Sequence, residues 1–456
     1  MKKINLLICL ILLLIQYTYS QIDCYTIVAG RKTTQTQSVI IGHNEDDYGN
    51  LTVNLYKVNA KETEEAFQVP YGNNSFIPYF ETIPYIWFEV TQEKFGDFFV
   101  NNFGVTICSN ACRSKEDTAK GLIDYQLRKT VAMYATSAKQ AVLIASMLVE
   151  KYGYNSSGRS YCFADARDAW IMAIVKGKHW VAQRVPDDMV AIVPNYYTIG
   201  EIDLSDSLNF MASKDLISYA EKRGWYHKED GKPFNFRLAY SDTRNLYASW
   251  NIPRHWAGLN LLSTKKYGLN DNFPFAFKPS KKIQLQDIMT VLSNHYEGTD
   301  LETSHTVRKN PHQNTINRIC NSGTKFSVVV ELHNTYPENN TNVIWFAPFN
   351  PCINPYIPIA CSIDSFPSVY HNRSAEEAPA MHFDKKQNIF EANPNSAYSK
   401  FFKHNEAINE DYWNKIDSVQ QEKVKFEQYA RDLFKAKPNG KTSYRLLMEY
   451  YRSIDN

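Results

Sequence analysis

The order of the elements that the sequence predicts indicates a layered α+β fold. Short runs of β-branched and aromatic residues come first, two amphipathic helical stretches follow, and further strand-like runs come after them. A parallel α/β sheet would need strands and helices in regular alternation, which this order lacks. With 44% hydrophobic and 21% charged residues over 456 positions, the chain has enough apolar material for a large core.

The first predicted strands form a hairpin. Residues 24–28 are mostly β-branched or aromatic, a polar turn covers 31–37, and the second strand lies in SVIIGHNEDD, residues 38–47. A second hairpin is predicted at FFVNNFGVTIC, residues 98–108, with NNFG as its turn.

Two helices are predicted next, over residues 117–134 and 137–152, with Gly153 as a stop signal. Residues 161–200 contain KGK between strand-like runs and predict a β-meander. Further along, the pattern predicts a helix at 284–296, strands at 324–332 and 343–346, and a long helical region at 396–434.

The N-terminus predicts export. Lys2 and Lys3 precede an apolar run at residues 6–15, and the small residues Thr18 and Ser20 suit a cleavage after residue 20. The segment is too short for a membrane span, and no later run reaches the roughly 18 apolar residues that a spanning helix needs. We therefore expect a periplasmic or extracellular protein with no membrane span in its mature chain. A net charge of +2 without a basic block argues against a nucleic-acid partner.

Eight cysteines are present, and Cys9 leaves with the leader. Seven is odd, so at least one thiol stays unpaired in an exported monomer. Cys352 and Cys361 could close a proline-rich loop, and Cys108 and Cys112 are also close in sequence, but spacing leaves the pairing open. The eleven histidines have no spacing typical of metal ligands, and the sequence contains no HExxH, GxSxG, P-loop or GxGxxG motif.

Cys24 is the remaining candidate for chemistry. Taken alone, a single cysteine is most often an inert buried thiol, and a disulfide role is also open. A lipid anchor is a poor match, because Gln21, Ile22 and Asp23 are not the small residues that it requires. If the chain is cut after Asp23, however, Cys24 has a free α-amine with a pKa of about 7.7–8.0, which can accept the proton of its own thiol. The resulting tetrahedral oxyanion would need nearby hydrogen-bond donors.

Six segments, which follow one another in the same order as in a known family, carry a resemblance to it: DCYTIVAG, SVIIGHNEDD, NNFGVTI, the stretch from DARDAWIM to VPNYYTIGEID, residues 272–302, and RICNSGTKFSVVVELH. Together they resemble the secreted dipeptidase family of N-terminal-nucleophile cysteine hydrolases, whose wider relatives are choloylglycine hydrolases and penicillin V acylases. The resemblance implies a four-layer αββα sandwich, removal of a short propeptide at 21–23, and hydrolysis of dipeptide amide bonds without a metal or cofactor. The implied catalytic domain covers residues 24–390, followed by a helical C-terminal extension at 391–456.

The resemblance also implies roles for single residues. Cys24 matches the nucleophile, Asp46 the carboxylate that orients its α-amine, and Asn195 an oxyanion-hole or cleft amide. Arg184 would bind a substrate carboxylate, and Arg254 matches a late arginine near the nucleophile. Ordinary structural roles remain open: Asp46 and Asn195 could be turn residues, Arg184 could pair with a neighbouring aspartate, and Arg254 could be structural.

His43 is a departure, since the family commonly has arginine there. Histidine can lose its charge and arginine cannot, so the pH dependence of the site could differ. Two alternatives to a dipeptidase therefore stay open: a hydrolase of other N-acyl amides, and a binding protein that keeps the fold without catalysis. The expected partner is a dipeptide or small amide, and the oligomeric state is open.

Overall fold

Two antiparallel sheets stacked face to face form the centre of the molecule. The structure is a computed structural model that describes residues 24–47, 49, 51–72, 75–302, 310–313, 317–334, 337–384 and 393–454. The predicted signal peptide and propeptide therefore lie outside the described residues. Among the residues that are described, no helix combines the length and apolar character needed to cross a membrane.

Sheet I has seven strands in the order β14-β12-β1-β2-β15-β16-β17. In chain order its strands are β1 Tyr25–Ala29, β2 Val39–Asp46, β12 Val190–Val193, β14 Ala276–Phe277, β15 Thr324–Leu332, β16 Val343–Pro348 and β17 Ile357–Ala360. The predicted N-terminal hairpin is confirmed, because β1 pairs antiparallel with β2 and places Thr26 opposite His43.

Sheet II has eight strands in the order β13-β11-β10-β9-β8-β7-β6-β3. Its strands are β3 Val53–Val58, β6 Tyr85–Val90, β7 Phe98–Asn101, β8 Thr106–Ala111, β9 Tyr154–Ala164, β10 Ala169–Gly177, β11 Trp180–Arg184 and β13 Phe210–Ala212. The hairpin predicted at 98–108 is confirmed as β7 and β8. A separate two-stranded sheet joins β4 Glu62–Gly72 to β5 Ser75–Glu81.

Eleven α-helices lie within the described residues. They are α1 Gln126–Tyr134, α2 Ala138–Tyr152, α3 Leu216–Lys222, α4 Phe236–Tyr240, α5 Thr243–Leu246, α6 Ile252–Leu262, α7 Leu285–Leu292, α8 Ala378–Met381, α9 Ala397–Glu410, α10 Tyr412–Ala436 and α11 Gly440–Ser453.

The helices cover the outer faces of the two sheets. Between the sheets, Phe88 of β6 packs against Phe326 of β15 with ring centroids 5.6 Å apart. Val131 of α1 and Ala141 of α2 belong to a second apolar cluster on the far side of sheet II. On the far side of sheet I, Gly42 of β2 has no side chain, which leaves room for the side chain of Ile288 on α7. The order helix, sheet, sheet, helix confirms the predicted αββα architecture.

Four predicted elements differ from the structure, and one of them is the helix expected at 284–296, which ends at Leu292. The helix expected from residue 117 begins at Gln126, because Ile123 donates its N–H to the carbonyl of Gly153 and holds this stretch extended. The predicted meander is wrong at its last strand, since β12 crosses to sheet I and pairs with β1. The long C-terminal helix is interrupted at Asp411, which separates α9 from α10.

The final helices pack on the edge of sheet I, where Leu446 and Leu447 of α11 and Phe434 of α10 join the main core with Ile357 of β17. The division of the chain at residue 390 stays a prediction.

Candidate active site

Cys24 lies at the start of β1, enclosed between the two sheets and only 5% exposed. Its Sγ lies 3.3 Å from Oε1 of Glu45 and 3.7 Å from the main-chain oxygen of Asp46. The register explains this contact: Thr26 pairs with His43, so the side chains of Cys24 and Glu45, two positions further out, meet on the same face of the hairpin.

A row of hydrogen bonds continues from Glu45 toward sheet II. Oε2 of Glu45 is 2.9 Å from Nε2 of His43, and Nδ1 of His43 is 2.8 Å from Oγ1 of Thr26. Thr26 donates its hydroxyl proton to Oδ1 of Asn110 at 2.6 Å, and Asn110 donates its Nδ2 to the carbonyl of Val193. Thiol, carboxylate, imidazole, hydroxyl and amide thus form one connected row.

The directions of these bonds fix the charge of His43. Because the Thr26 proton goes to Asn110, the Thr26 oxygen must accept a proton from Nδ1 of His43, while Nε2 donates to Glu45. Burial alone would lower the pKa of His43, but the neighbouring Cys108 and Glu45 outweigh it and raise the pKa to about 10. His43 is therefore an imidazolium, and it keeps the positive charge that arginine would supply.

The thiol itself is held in its protonated form. Burial raises the pKa of Cys24 well above its ordinary value, and the charges of Glu45 and Asp46 raise it further, with Arg159 opposing them. A thiol so placed in the uncleaved chain is a weak nucleophile.

Arg254 contacts the main chain of Cys24, whereas Glu45 contacts its thiol. It lies on α6, is fully buried, and donates Nη1 to the main-chain oxygen of Cys24 at 3.2 Å. Its Nη2 donates to Oδ1 of Asn195 at 3.1 Å and to Oδ1 of Asn251 at 2.8 Å. Gly258, one helical turn further, leaves space for the hydroxyl of Tyr25, which holds α6 close to β1.

Only the oxygen of the Asn195 side-chain amide has a hydrogen-bond partner among the described residues. Its Oδ1 faces Arg254, and its buried Nδ2 finds no hydrogen-bond acceptor among the residues that the structure describes. A buried donor without a partner costs free energy, roughly 1–3 kcal/mol. This N–H group is thus available to an incoming oxygen atom.

Asp46 contacts the nucleophile only through its main chain. Its carboxylate accepts hydrogen bonds from Nδ2 of Asn321 at 2.5 Å and from Oγ1 of Thr324 at 2.7 Å. Burial raises the pKa of Asp46 well above its ordinary value, despite these two donors. Its role in orienting the α-amine stays a prediction.

Arg184 lies elsewhere, on β11, with its guanidinium between two carboxylates. It is 2.5 Å from Oδ1 of Asp168 and 2.5 Å from Oδ1 of Asp187. The structure thus brings Cys24, His43, Asp46, Asn195 and Arg254 into one region and gives Arg184 other partners. Substrate binding by Arg184 stays a prediction.

A cavity of about 750 Å³ adjoins this region. It is lined by Tyr196, next to Asn195, and by Pro253, next to Arg254. Arg237 also lines it and donates to the main-chain oxygen of Phe273 at 3.1 Å. The cavity has room for a small ligand, and its lining includes the chain neighbours of Asn195 and Arg254 but neither of these two residues nor Cys24.

Sequence reasoning missed Glu45, whose carboxylate accepts the hydrogen bond of the Cys24 thiol. The alternation of side chains along the predicted hairpin could have indicated it, because residues two positions apart on a strand lie on the same face. It also missed a second cluster of His295, His312, Cys320 and Cys352, whose ligand atoms all lie within 4.8 Å of one another.

The suggested disulfides are not formed: all seven described cysteines are free, and Cys352 lies beside Cys320, not Cys361.

Comparison with known proteins agrees with the resemblance. The model of peptidase family C69 matches residues 23–414. A probable dipeptidase A of Streptococcus pyogenes serotype M18 is 24% identical over 379 residues, covering 78% of this chain and 79% of the relative. A probable dipeptidase of Salmonella dublin is 26% identical over 355 residues, covering 74% and 80%. Among solved structures, penicillin V acylase from Agrobacterium tumefaciens aligns with a TM-score of 0.33 and 11% identity, over 74% of this chain and 86% of that one. The family match spans most of the sequence, and the chain therefore belongs to peptidase family C69.

Proposed function

We propose that this peptidase is an exported cysteine-type dipeptidase whose nucleophile is the thiol of an N-terminal Cys24. The observation that carries the proposal is the buried Nδ2 of Asn195, which has no hydrogen-bond partner among the described residues. Arg254 connects this residue to Cys24, because it donates to Oδ1 of Asn195 and to the main-chain oxygen of Cys24. Acyl transfer needs a free hydrogen-bond donor in the cluster that holds the thiol, because the attack creates an oxyanion.

Maturation comes first. Removal of residues 21–23 frees the α-amine of Cys24, whose pKa of about 7.7–8.0 lets it act as a base near neutral pH. The new amine adds a positive charge when protonated, which would favour ionisation of the thiol and of Asp46, whose pKa values burial raises in both cases. Processing would thus switch the site from inert to reactive.

Catalysis then proceeds through a thioester. The amine takes the thiol proton, Sγ of Cys24 attacks the scissile carbonyl, and the Nδ2 of Asn195 donates to the oxyanion. The leaving amine takes a proton from the α-ammonium, and a water molecule, deprotonated by the same amine, releases the acyl group. Arg254 keeps Asn195 oriented through Oδ1.

His43 and Glu45 form a charge-neutral pair behind the thiol. Glu45 accepts the thiol hydrogen bond, and the imidazolium of His43 balances its negative charge. A lone carboxylate at this distance would oppose thiolate formation, so the pair supports reactivity only while His43 stays protonated.

The substrate would lie in the adjoining cavity. Its volume of about 750 Å³ suits a dipeptide, and Arg237 is a cation in its lining that could bind the free carboxylate. Arg184 is a weaker candidate, since two aspartates already neutralise it.

Intact mass and N-terminal sequencing of the active protein after export test the proposal. We expect a chain that begins at Cys24 and hydrolyses dipeptides faster than acylated amino acids or bile-salt amides. An active chain that begins at Gln21, with Cys24 internal, would refute the mechanism. Preference for non-peptide N-acyl amides would favour the acylase alternative, and full inactivity of the correctly processed chain would favour a binding protein.

A further inference from the structure

The two histidines and two cysteines of the second cluster, His295, His312, Cys320 and Cys352, meet around a single point. His295 and His312 face each other with their Nε2 atoms 3.1 Å apart. The Sγ atoms of Cys320 and Cys352 are 3.6 Å apart, and they lie 3.5 Å and 3.2 Å from Nε2 of His312. All four residues are buried.

These separations match the edges of a tetrahedron around zinc. Zn–S bonds of about 2.3 Å and Zn–N bonds of about 2.0–2.1 Å place two sulfurs about 3.8 Å apart, two nitrogens about 3.3 Å apart, and sulfur and nitrogen about 3.6 Å apart. Each of the four distances above is only a few tenths of an ångström shorter. Four protein ligands leave no open position, which is typical of a structural site and not a catalytic one.

The partners of the histidines prepare them as ligands. Nδ1 of His295 lies 2.9 Å from Oε1 of Glu297, and Nδ1 of His312 lies 2.6 Å from Oδ1 of Asn409. Both oxygens accept, so each Nδ1 keeps its proton and each Nε2 can present a lone pair to the centre. Two lone pairs at 3.1 Å repel each other unless a proton or a cation lies between them.

A hydrogen-bond donor beside one sulfur and a cavity beside the cluster are also consistent with a bound metal ion. Nδ2 of Asn350 lies 3.5 Å from Sγ of Cys320 and can donate to a thiolate. A cavity of about 440 Å³ lined by His295 and Cys352 offers a route for an ion.

We propose that these four residues bind one zinc ion that is structural. Zn²⁺ forms bonds to two Sγ and two Nε2 atoms and displaces one proton from each thiol, so two protons leave and the buried complex is neutral.

The site would tie the C-terminal helices to the catalytic body. His312 is held by Asn409 of α9 and its ring packs on Tyr412 of α10, while Cys320 precedes Asn321, the donor to Asp46. The ion would brace the loop behind the candidate active site without touching the reacting atoms.

Metal analysis of the full mature chain, purified under reducing conditions and dialysed after addition of Zn²⁺, tests the inference. We expect about one zinc per chain, and replacement by Co²⁺ should give the intense visible absorption and thiolate-to-metal charge-transfer bands of a tetrahedral site. The double variant Cys320→Ser, Cys352→Ser should fall below about 0.1 zinc per chain.

Two controls separate this cluster from other thiols. Cys361→Ser changes a buried free cysteine outside the cluster. Cys24→Ala removes the cysteine from the other group of candidate ligands, which also contains His43 and Glu45. Both should keep the full zinc content. Zinc retained by the double variant but lost in Cys24→Ala would overturn the assignment.

Two results on the wild-type chain would also overturn it, and neither depends on whether the double variant folds. One is a zinc content below about 0.1 per chain with all thiols free. The other is a Cys320–Cys352 disulfide in the intact mass and peptide map of exported protein that is alkylated and analysed without any reducing step. Neither readout uses dipeptidase activity, so failure here leaves the proposed reaction untouched.

Discussion

The described part of the chain buries one group of thiol and imidazole side chains around Cys24 and another around Cys320 and Cys352, and their geometry differs. Around Cys24 the groups form an open row that ends at a thiol, and Arg254 links the main chain of Cys24 to the side chain of Asn195. Around Cys320 they close on a common centre. The same residue types thus occur in two arrangements that suit different chemistry.

The histidines account for the difference. His43 donates protons from both ring nitrogens, to Thr26 and Glu45, so it has no lone pair to offer a metal. His295 and His312 each anchor Nδ1 on an oxygen and can point Nε2 inward. What the second nitrogen contacts therefore decides whether an adjacent cysteine is placed as a nucleophile or as a ligand.

Cys24→Ala is expected to give the largest effect and to separate the two clusters. We expect kcat/KM for dipeptides to fall by at least about 10³-fold, because the bond-forming atom is lost. Activity assays and metal analysis on the same preparation check this. Full activity in the alanine variant would rule out Cys24 as the nucleophile.

Asn195→Ala comes next. Loss of one oxyanion donor should lower kcat by about 10²–10³-fold with little change in KM. The matched control is Asn409→Ala, an amide that supports His312 in the other cluster, for which we expect zinc affinity to fall by about 10–100-fold. A kcat for Asn195→Ala within a few-fold of wild type would remove Asn195 from the oxyanion hole.

Arg237→Leu should have a smaller effect, on binding. A charge-assisted hydrogen bond to a substrate carboxylate is worth about 1.5–3 kcal/mol, so KM for dipeptides should rise about tenfold or more. Arg184→Leu is the paired variant and should leave KM near the wild-type value. Assays with dipeptides and their C-terminal amides identify the arginine that binds the carboxylate, and the reverse result would restore the role predicted for Arg184.

Local patterns predicted the parts of the fold that depend on neighbours in sequence. The β1–β2 hairpin follows from alternation, and α2 follows from its apolar face and the stop signal at Gly153. The crossing of β12 to sheet I depends on packing between distant segments, so no local signal marked it.

The same limit applies to the sites. The resemblance supplied Cys24, Asn195 and Arg254, which the fold brings together through separate strands and a helix. The ligands of the second cluster are spread from His295 to Cys352, and only folding makes their spacing visible.

His43 gives the subtlest prediction, a pH dependence of stability. Its pKa in the folded chain is about 10, above the ordinary 6.5, so its protonation stabilises the fold fully below about pH 6.5. This contribution is lost as the pH rises through about 10. Denaturation with urea across this range should therefore give a free energy of unfolding that declines with rising pH.

Two substitutions isolate His43 from buried thiols such as Cys24, whose raised pKa in the folded chain also makes stability fall as the pH rises. His43→Gln removes the titrating group, so its unfolding free energy should be lower at neutral pH and change less with pH. His43→Arg keeps a positive charge beside Glu45 at every pH tested and should flatten the decline without the loss at neutral pH, provided that the larger side chain is accommodated. If the glutamine variant keeps the full decline, the charge on His43 is not its source. In that case another cation balances Glu45, and the buried Arg159, whose charge interacts with Glu45 and lowers the pKa of Cys24, is a candidate.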